Sequence, residues 1–234
     1  MTITEPTEVR RVAVVTGGSG AIGGAIATRL SADHTVVVLD RQSDISVDLS
    51  DPTAVRGVAQ TVLDRYGRCD VLVHAAAMVA FAPFEEFELE VWRQVQAVNV
   101  ESAMLLAQAF VPGMRERGFG RLIFVVSNSF WRPPGAHMAA YIASKGALIG
   151  MTRSLAVGLG RDGIAVTAVA PGLTRTPATS VVPEDEFIDT EAHQALPRPL
   201  HPDDTAAVVA MLAREDAAAL TGQTLTVDGG LVLR

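Results

Sequence analysis

Five residues, Val12 to Thr16, run straight into Gly17-Gly18-Ser19-Gly20-Ala21-Ile22-Gly23, and from Ile22 to Leu30 apolar residues recur at helical spacing. A buried strand that stops at a glycine turn and resumes as a helix is half of a β-α-β unit, so it commits the chain to a parallel sheet. Gly18, Gly20 and Gly23 also satisfy the spacing Gly-x-Gly-x-x-Gly. Missing side chains there let the backbone reverse sharply and bring N–H groups against a phosphate at the helix N-terminus. In a chain with 20 glycines the pattern alone says little; the strand before it and the helix after it give it weight. A tight turn with no ligand is the alternative reading.

The alternation continues. Thr35 to Leu39 reads as a β-branched strand closed by Asp40, and Pro52, after the cap candidates Ser50 and Asp51, opens a helix to about Tyr66. Val71 to His74 is a strand, Val91 to Arg117 a long helix with Asn99 at its middle, and Arg121 to Val126 a strand. A helix then carries Tyr141 and Lys145, followed by a strand from Ile164 to Val169. The Pro-rich, acidic segment Pro177 to Pro202 reads as a substrate lid, Asp203 to Arg214 as a helix and Gln223 to Val227 as a last strand. The expectation is one α/β domain over residues 11–234, a doubly wound parallel sheet flanked by helices. A polar, acidic lead-in over residues 1–10 is expected to be disordered and to be neither a signal nor a transit peptide.

Composition removes other classes. With 49% hydrophobic and 19% charged residues, the chain suits strands buried on both faces. No apolar stretch reaches the ~18 residues of a spanning helix, so no membrane is expected. The lone Cys69 leaves no disulfide framework and suggests a reducing, cytoplasmic setting. A net charge of -7 without a basic run argues against nucleic acid. Scattered histidines suggest no metal site, and no Gly-x-Ser-x-Gly elbow suggests a serine hydrolase.

Tyr141 and Lys145 stand four apart on a helix, hence on one face. A free tyrosine ionises near pH ~10, and a fixed cation beside it is expected to pull that value toward neutrality. That would make a phenol serve as general base for an alcohol or general acid for a ketone. A solvated Tyr–Lys pair is the alternative. Asp40, seventeen residues after Gly23, could accept bonds from ribose hydroxyls and repel an added phosphate, which favours NAD. Arg41 beside it keeps NADP possible.

The glycine turn and the Tyr-x-x-x-Lys pair together resemble the short-chain dehydrogenase/reductase family, from Arg11 to Val227-Asp228-Gly229-Gly230. The resemblance implies a seven-stranded Rossmann sheet, a nicotinamide cofactor, frequent homotetramers (or homodimers) and the catalytic set Asn99, Ser127, Tyr141 and Lys145. Thr16 to Gly23 fits the family's glycine motif, with Ala21 where it has its middle glycine. Asp48 and Leu49 match the adenine-contacting position. His74-Ala75-Ala76-Ala77 departs from the family's Asn-Asn-Ala-Gly, with His74 read as a satisfied strand-end residue. Asn99 is implied to hold a water on the way from the lysine to solvent. Pro171-Gly172-Leu173-Thr174-Arg175-Thr176 matches the segment that anchors the nicotinamide carboxamide. The catalytic serine is read as Ser127, at the strand's end, although its gap to Tyr141 is one longer than usual; Ser129 is the other candidate.

The reaction expected is hydride transfer between NAD(H) and a secondary alcohol or ketone, small and hydrophobic or aromatic. Ser129, Phe130, Trp131, Met138, Leu173 and Phe187 are read as pocket residues, or else as loop anchors. Arg175 could receive one carboxylate. A 3-oxoacyl thioester reductase is the alternative within the fold, and a non-catalytic dinucleotide-binding regulator the alternative outside enzymology.

Overall fold

In β1 (Val12–Thr16) successive side chains take opposite faces of the sheet, and both faces are covered. Val12 and Val14 enter one hydrophobic cluster, whereas Ala13 and Val15 enter the other. The computed structural model describes residues 10–233. The expected lead-in therefore lies outside the described residues except for Arg10, whose guanidinium donates to the carbonyls of Ser31 and Ala32.

The elements follow in the order α1 (Ala21–Leu30), β2 (Thr35–Asp40), β3 (Ile45–Ser46), α2 (Pro52–Tyr66), β4 (Val71–His74), α3 (Leu89–Gln96), α4 (Ser102–Arg117), β5 (Gly120–Val125), α5 (Ala139–Leu159), β6 (Ile164–Pro171), α6 (Glu184–Ala192), α7 (Pro202–Leu212) and β7 (Thr224–Val227). One seven-stranded sheet runs β3-β2-β1-β4-β5-β6-β7, and every pairing is parallel. Helices α1 and α7 pack on one face through Ile26, Leu30, Val209 and Leu212. Helices α2, α4 and α5 cover the other through Val55, Leu106, Phe110 and Leu148. The chain leaves β1 toward β2 on one side and returns to β4 on the other, so the ends of β1 and β4 part to form a crevice. In open parallel sheets that is where ligands bind.

Three features differ from the sequence reading. The long helix over Val91 to Arg117 is interrupted: Ala97–Glu101 forms a π turn between α3 and α4, with Asn99 at its centre. The segment Pro177 to Pro202 contains a helix, α6, whose first turn holds Glu184, Asp185 and Glu186, where negative charge suits the helix dipole. A two-residue edge strand, β3, was not evident from the residues themselves. No described helix is long and apolar enough to cross a membrane.

Candidate active site

The glycine turn is shaped by close approach. Gly17 has φ 71°, and a Cβ there would lie 2.7 Å from Cα of Ala76, at the end of β4. A Cβ on Gly18 would lie 2.6 Å from a methyl of Val38, and one on Gly23 would run into the Gly17 carbonyl. Helix α1 begins beyond Gly20 with no side-chain cap and no acidic residue in its first turn. The leading N–H groups and the positive end of the helix dipole thus face the crevice without a competing carboxylate. The backbone is cut to admit an anion, and a dinucleotide's diphosphate fits it.

Other candidate cofactor residues lie around this cradle. Asp40 ends β2, where one carboxylate oxygen accepts from Ser19 N at 3.3 Å, and Arg41 is exposed beside it. Asp48 is exposed and accepts from Ser50 N at 2.9 Å and Ser50 Oγ at 2.7 Å, bonds that hold its carboxyl below the usual range. Leu49, expected at the adenine, instead turns its side chain into the core. Thr16 Oγ1 accepts from Ala75 N (3.2 Å) and Ala76 N (3.1 Å), while Ala77 is exposed. Across the crevice, β6 ends at Pro171, and Gly172 N bonds the Val227 carbonyl. Thr174 is buried and donates to the Gly172 carbonyl at 2.9 Å. The Thr176 side chain caps the turn Pro177–Thr179 through Thr179.

Helix α5 carries the candidate catalytic pair. The stripe Ser144, Lys145, Leu148, Thr152, Ala156 and Leu159 is buried against the sheet, and Lys145 lies on it, one turn beyond Tyr141. The pair therefore faces inward, which excludes the solvated alternative. Lys145 is 1% exposed, donates from Nζ to the Val125 carbonyl at 2.8 Å, and lies 5.3 Å from the Tyr141 ring centroid. Burial pushes its ammonium down to about 7. Burial also pushes the Tyr141 phenol up, and a hydrogen bond with Ser127 opposes that rise. This corrects the expectation of a phenol drawn toward neutrality by a neighbouring cation: Lys145 is itself desolvated, and the buried phenol loses more hydration than the serine returns.

Asn99 is held on three sides. Its Oδ1 accepts from Met78 N at 2.7 Å, and its Nδ2 donates to the Met78 carbonyl at 3.0 Å and to Ser144 Oγ at 2.9 Å. Ser144 in turn donates to the Tyr141 carbonyl at 2.6 Å. The sequence reading passed over Ser144 and Met78; the one available signal was a hydroxyl between tyrosine and lysine on an apolar helix face. His74 is only half satisfied. Thr16 Oγ1 already accepts two backbone N–H groups, so at 3.0 Å its own proton must go to His74 Nδ1. That fixes the tautomer with the proton on Nε2, which is buried facing the Val98 and Asn99 carbonyls, with no partner at bonding distance among the described residues.

The expected pocket residues divide. Ser127 and Ser129 lie together, and Met138 stands at the head of α5, half-buried like Leu173. Phe130 lies across Gly146 of α5, where a Cβ would come 2.7 Å from its ring, and Trp131 packs edge-on to it and against the core. Phe187 is buried under the Arg175 guanidinium, 4.4 Å from the ring centroid. These three rings anchor loops. Arg175 is bound bidentately by Glu184 (both 2.8 Å) and by Glu191 at 3.0 Å, so it is tied to α6 rather than free for a substrate carboxylate.

Fold and site together define a dinucleotide-dependent oxidoreductase of the parallel α/β type. A family model described as enoyl-(acyl carrier protein) reductase matches residues 19–232. The chain is 37% identical to the 3-oxoacyl-[acyl-carrier-protein] reductase MabA of Mycobacterium tuberculosis, over 97% of this chain and 95% of that one. It is 31% identical to the (2S)-[(R)-hydroxy(phenyl)methyl]succinyl-CoA dehydrogenase subunit BbsD of Thauera aromatica, over 94% and 96%. A crystal structure from Beutenbergia cavernae, assigned as an NAD(P)-dependent gluconate 5-dehydrogenase with bound NADP, superposes with TM-score 0.89 at 32% identity, over 96% and 97%. The chain belongs to the short-chain dehydrogenase/reductase family.

Two titrations follow from the buried bases. Lys145 carries its charge in both folded and unfolded chains below about pH 7, so the burial penalty is complete there; between 7 and 10.5 only the unfolded chain keeps the proton. Stability of the cofactor-free protein should therefore gain up to roughly 1.4 kcal/mol per pH unit across that window. Lys145→Met should lose this gain, as paired urea unfolding curves at pH 7 and 9.5 would reveal. Burial and the Lys145 charge press His74 down to about 3 from 6.5, so its contribution to stability is lost as pH falls from 6.5 toward 3. His74→Asn should unfold with a shallower acid limb, and the His74 imidazole ¹⁵N shifts should stay constant from pH 8 to 5.

Proposed function

We propose that this protein interconverts a secondary alcohol and a ketone with NAD(H), acting on a small hydrophobic or aromatic substrate. The observation that carries the proposal is the convergence of Ser127, Tyr141 and Lys145 at the carboxyl end of the sheet, where β1 and β4 part and the glycine cradle lies. The turn Gly17–Gly23 would hold the diphosphate, Asp40 and Asp48 the adenosine, Ala75 to Ala77 the inner wall, Lys145 the second ribose, and Pro171 to Thr176 the carboxamide. When bound, a nicotinamide dinucleotide supplies the site that donates or accepts hydride, and its oxidised ring adds positive charge. In ketone reduction the protonated Tyr141 Oη gives its proton to the substrate oxygen; in alcohol oxidation it would take the hydroxyl proton only as the phenolate, which the oxidised ring's positive charge would favour against the burial that raises it. Ser127 donates to the substrate oxygen as charge develops there. Lys145, with an ammonium near 7, can pass a proton at neutral pH. Asn99 acts by fixing the turn of backbone beside the lysine and the position of Ser144.

Apolar side chains at the mouth support a hydrophobic substrate. The loop after Met78 leaves Val79 and Phe81 exposed, and Phe81 stacks on His137 one turn ahead of Tyr141. Asp40 over Ser19, with no basic residue in the glycine turn, supports NAD; NADP bound in the Beutenbergia structure and Arg41 support the phosphorylated form. A homotetramer or homodimer is proposed on the family resemblance of the tail.

A second reading, reduction of a 3-oxoacyl thioester, is favoured by relatives: MabA, BbsD and an acetoacetyl-CoA reductase of Acinetobacter at 32% identity all bear thioester names. The net charge of -7 weighs against docking an acidic carrier protein. Assaying acetophenone, acetoacetyl-CoA and a carrier-linked 3-oxoacyl ester with NADH and NADPH in parallel separates the readings. NADH should outperform NADPH in kcat/KM, and the reverse order would refute the role given to Asp40. Tyr141→Phe should lower kcat at least ~100-fold; near-normal turnover would remove the mechanism.

A further inference from the structure

We propose that Ser129 is a positioning residue that fixes Ser127 as a one-way hydrogen-bond donor, an inference that rests on the oxidoreductase reading above. A serine hydroxyl offers one proton and two acceptor positions. Ser127 Oγ accepts from Ser129 N at 3.2 Å and from Ser129 Oγ at 2.8 Å, with the Ser129 hydroxyl as donor. Both acceptor positions are thereby filled by one residue. What Ser127 has left is its proton, and its turn packs through Phe130 on Gly146 of the helix that bears Tyr141, the side chain toward which that proton can go. A substrate oxygen arriving beside Tyr141 meets a hydroxyl that can give a bond but not take one. Donation into Ser127 also polarises its O–H, since bonds in a chain strengthen one another.

The geometry is rigid enough for this bond to persist. Val126 N still pairs with the Val169 carbonyl at 2.7 Å, so the sheet delivers the chain to Ser127 in fixed register. The following turn, Asn128–Phe130, is tied at each residue. Buried Asn128 donates to buried Asp228 at 3.2 Å, Ser129 bonds Ser127, and Phe130 lies on Gly146 of the same helix that bears Tyr141. Ser129 is half-buried, its hydroxyl directed back along the chain. The arrangement also accounts for the two serines near the expected catalytic position: one faces the reaction, and the other aims it.

Alanine at 129 removes the hydroxyl and leaves the backbone N–H bond of the turn intact, so it probes the Oγ alone. The test is reduction of acetophenone and acetoacetyl-CoA with NADH by the wild type, Ser129→Ala, Ser129→Thr, Ser127→Ala and Tyr141→Phe. Ser129→Ala should lower kcat about tenfold, less than the ~100-fold of losing a direct donor, with KM and NADH affinity unchanged within twofold. The basic limb of its kcat–pH profile should move upward, and Ser129→Thr should restore both. A chain with two tyrosines allows a second readout that needs no substrate. In a Tyr66→Phe background, the ¹³Cζ resonance of Tyr141 should shift on Ser129→Ala and return with Ser129→Thr. Wild-type kcat and an unmoved resonance in Ser129→Ala would overturn the proposal, as would a loss equal to that of Ser127→Ala, which would make Ser129 the direct donor. Full activity in Tyr141→Phe would instead strike the oxidoreductase mechanism itself.

Discussion

The hydroxyl of Thr16 holds the place where the two central strands separate. It gathers the N–H groups of Ala75 and Ala76 and gives its own proton to His74, knotting the end of β1 to the end of β4. The knot can close because Gly17, with no side chain and a left-handed backbone, lets the turn settle against Ala76. Everything functional is arranged around it. The glycine cradle leaves on one side, the loop carrying Met78 leaves on the other, and Met78 takes hold of Asn99. A bulkier residue at 17 would push the strands apart and open the crevice at the wrong level.

The candidate catalytic lysine is buried at a cost. Lys145 loses most of its hydration and regains one carbonyl bond, so helix α5 presses a group against the sheet that would prefer water. What fixes it there is the packing of the same helix through Leu148, Ile149 and Ala156. The apolar stripe that makes the helix fold is continuous with the face that carries Lys145. Stability and chemistry thus share one face, and the free energy of packing offsets the strain of holding a lysine dry.

Much of this was legible in the sequence, for identifiable reasons. Helix α2 was bounded correctly because Asp51 caps it, accepting from Thr53 N at 2.8 Å, and Pro52 occupies its first turn. The sheet's central strands announced themselves as apolar runs because both their faces are covered. The π turn at Ala97–Glu101 could not be read, since one extra residue in a turn leaves hydrophobic spacing almost unchanged. Helix α6 was hidden in a segment rich in proline and acids, two of which, Glu184 and Glu191, clasp Arg175. The ionisation of Tyr141 was misjudged because helical spacing gives proximity to a charge, and says nothing of how much water either group retains. The candidate site residues were picked out by type and order; their partners required coordinates.

Asp228 joins two parts of the molecule that lie far apart in sequence. One of its carboxylate oxygens receives Asn128, next to Ser127, together with Val232 N, while the other receives Gly230 N. The carboxyl-terminal tail is therefore mechanically continuous with the serine turn. For anyone immobilising or tagging the protein, a fusion at that end would load the turn that follows Ser127.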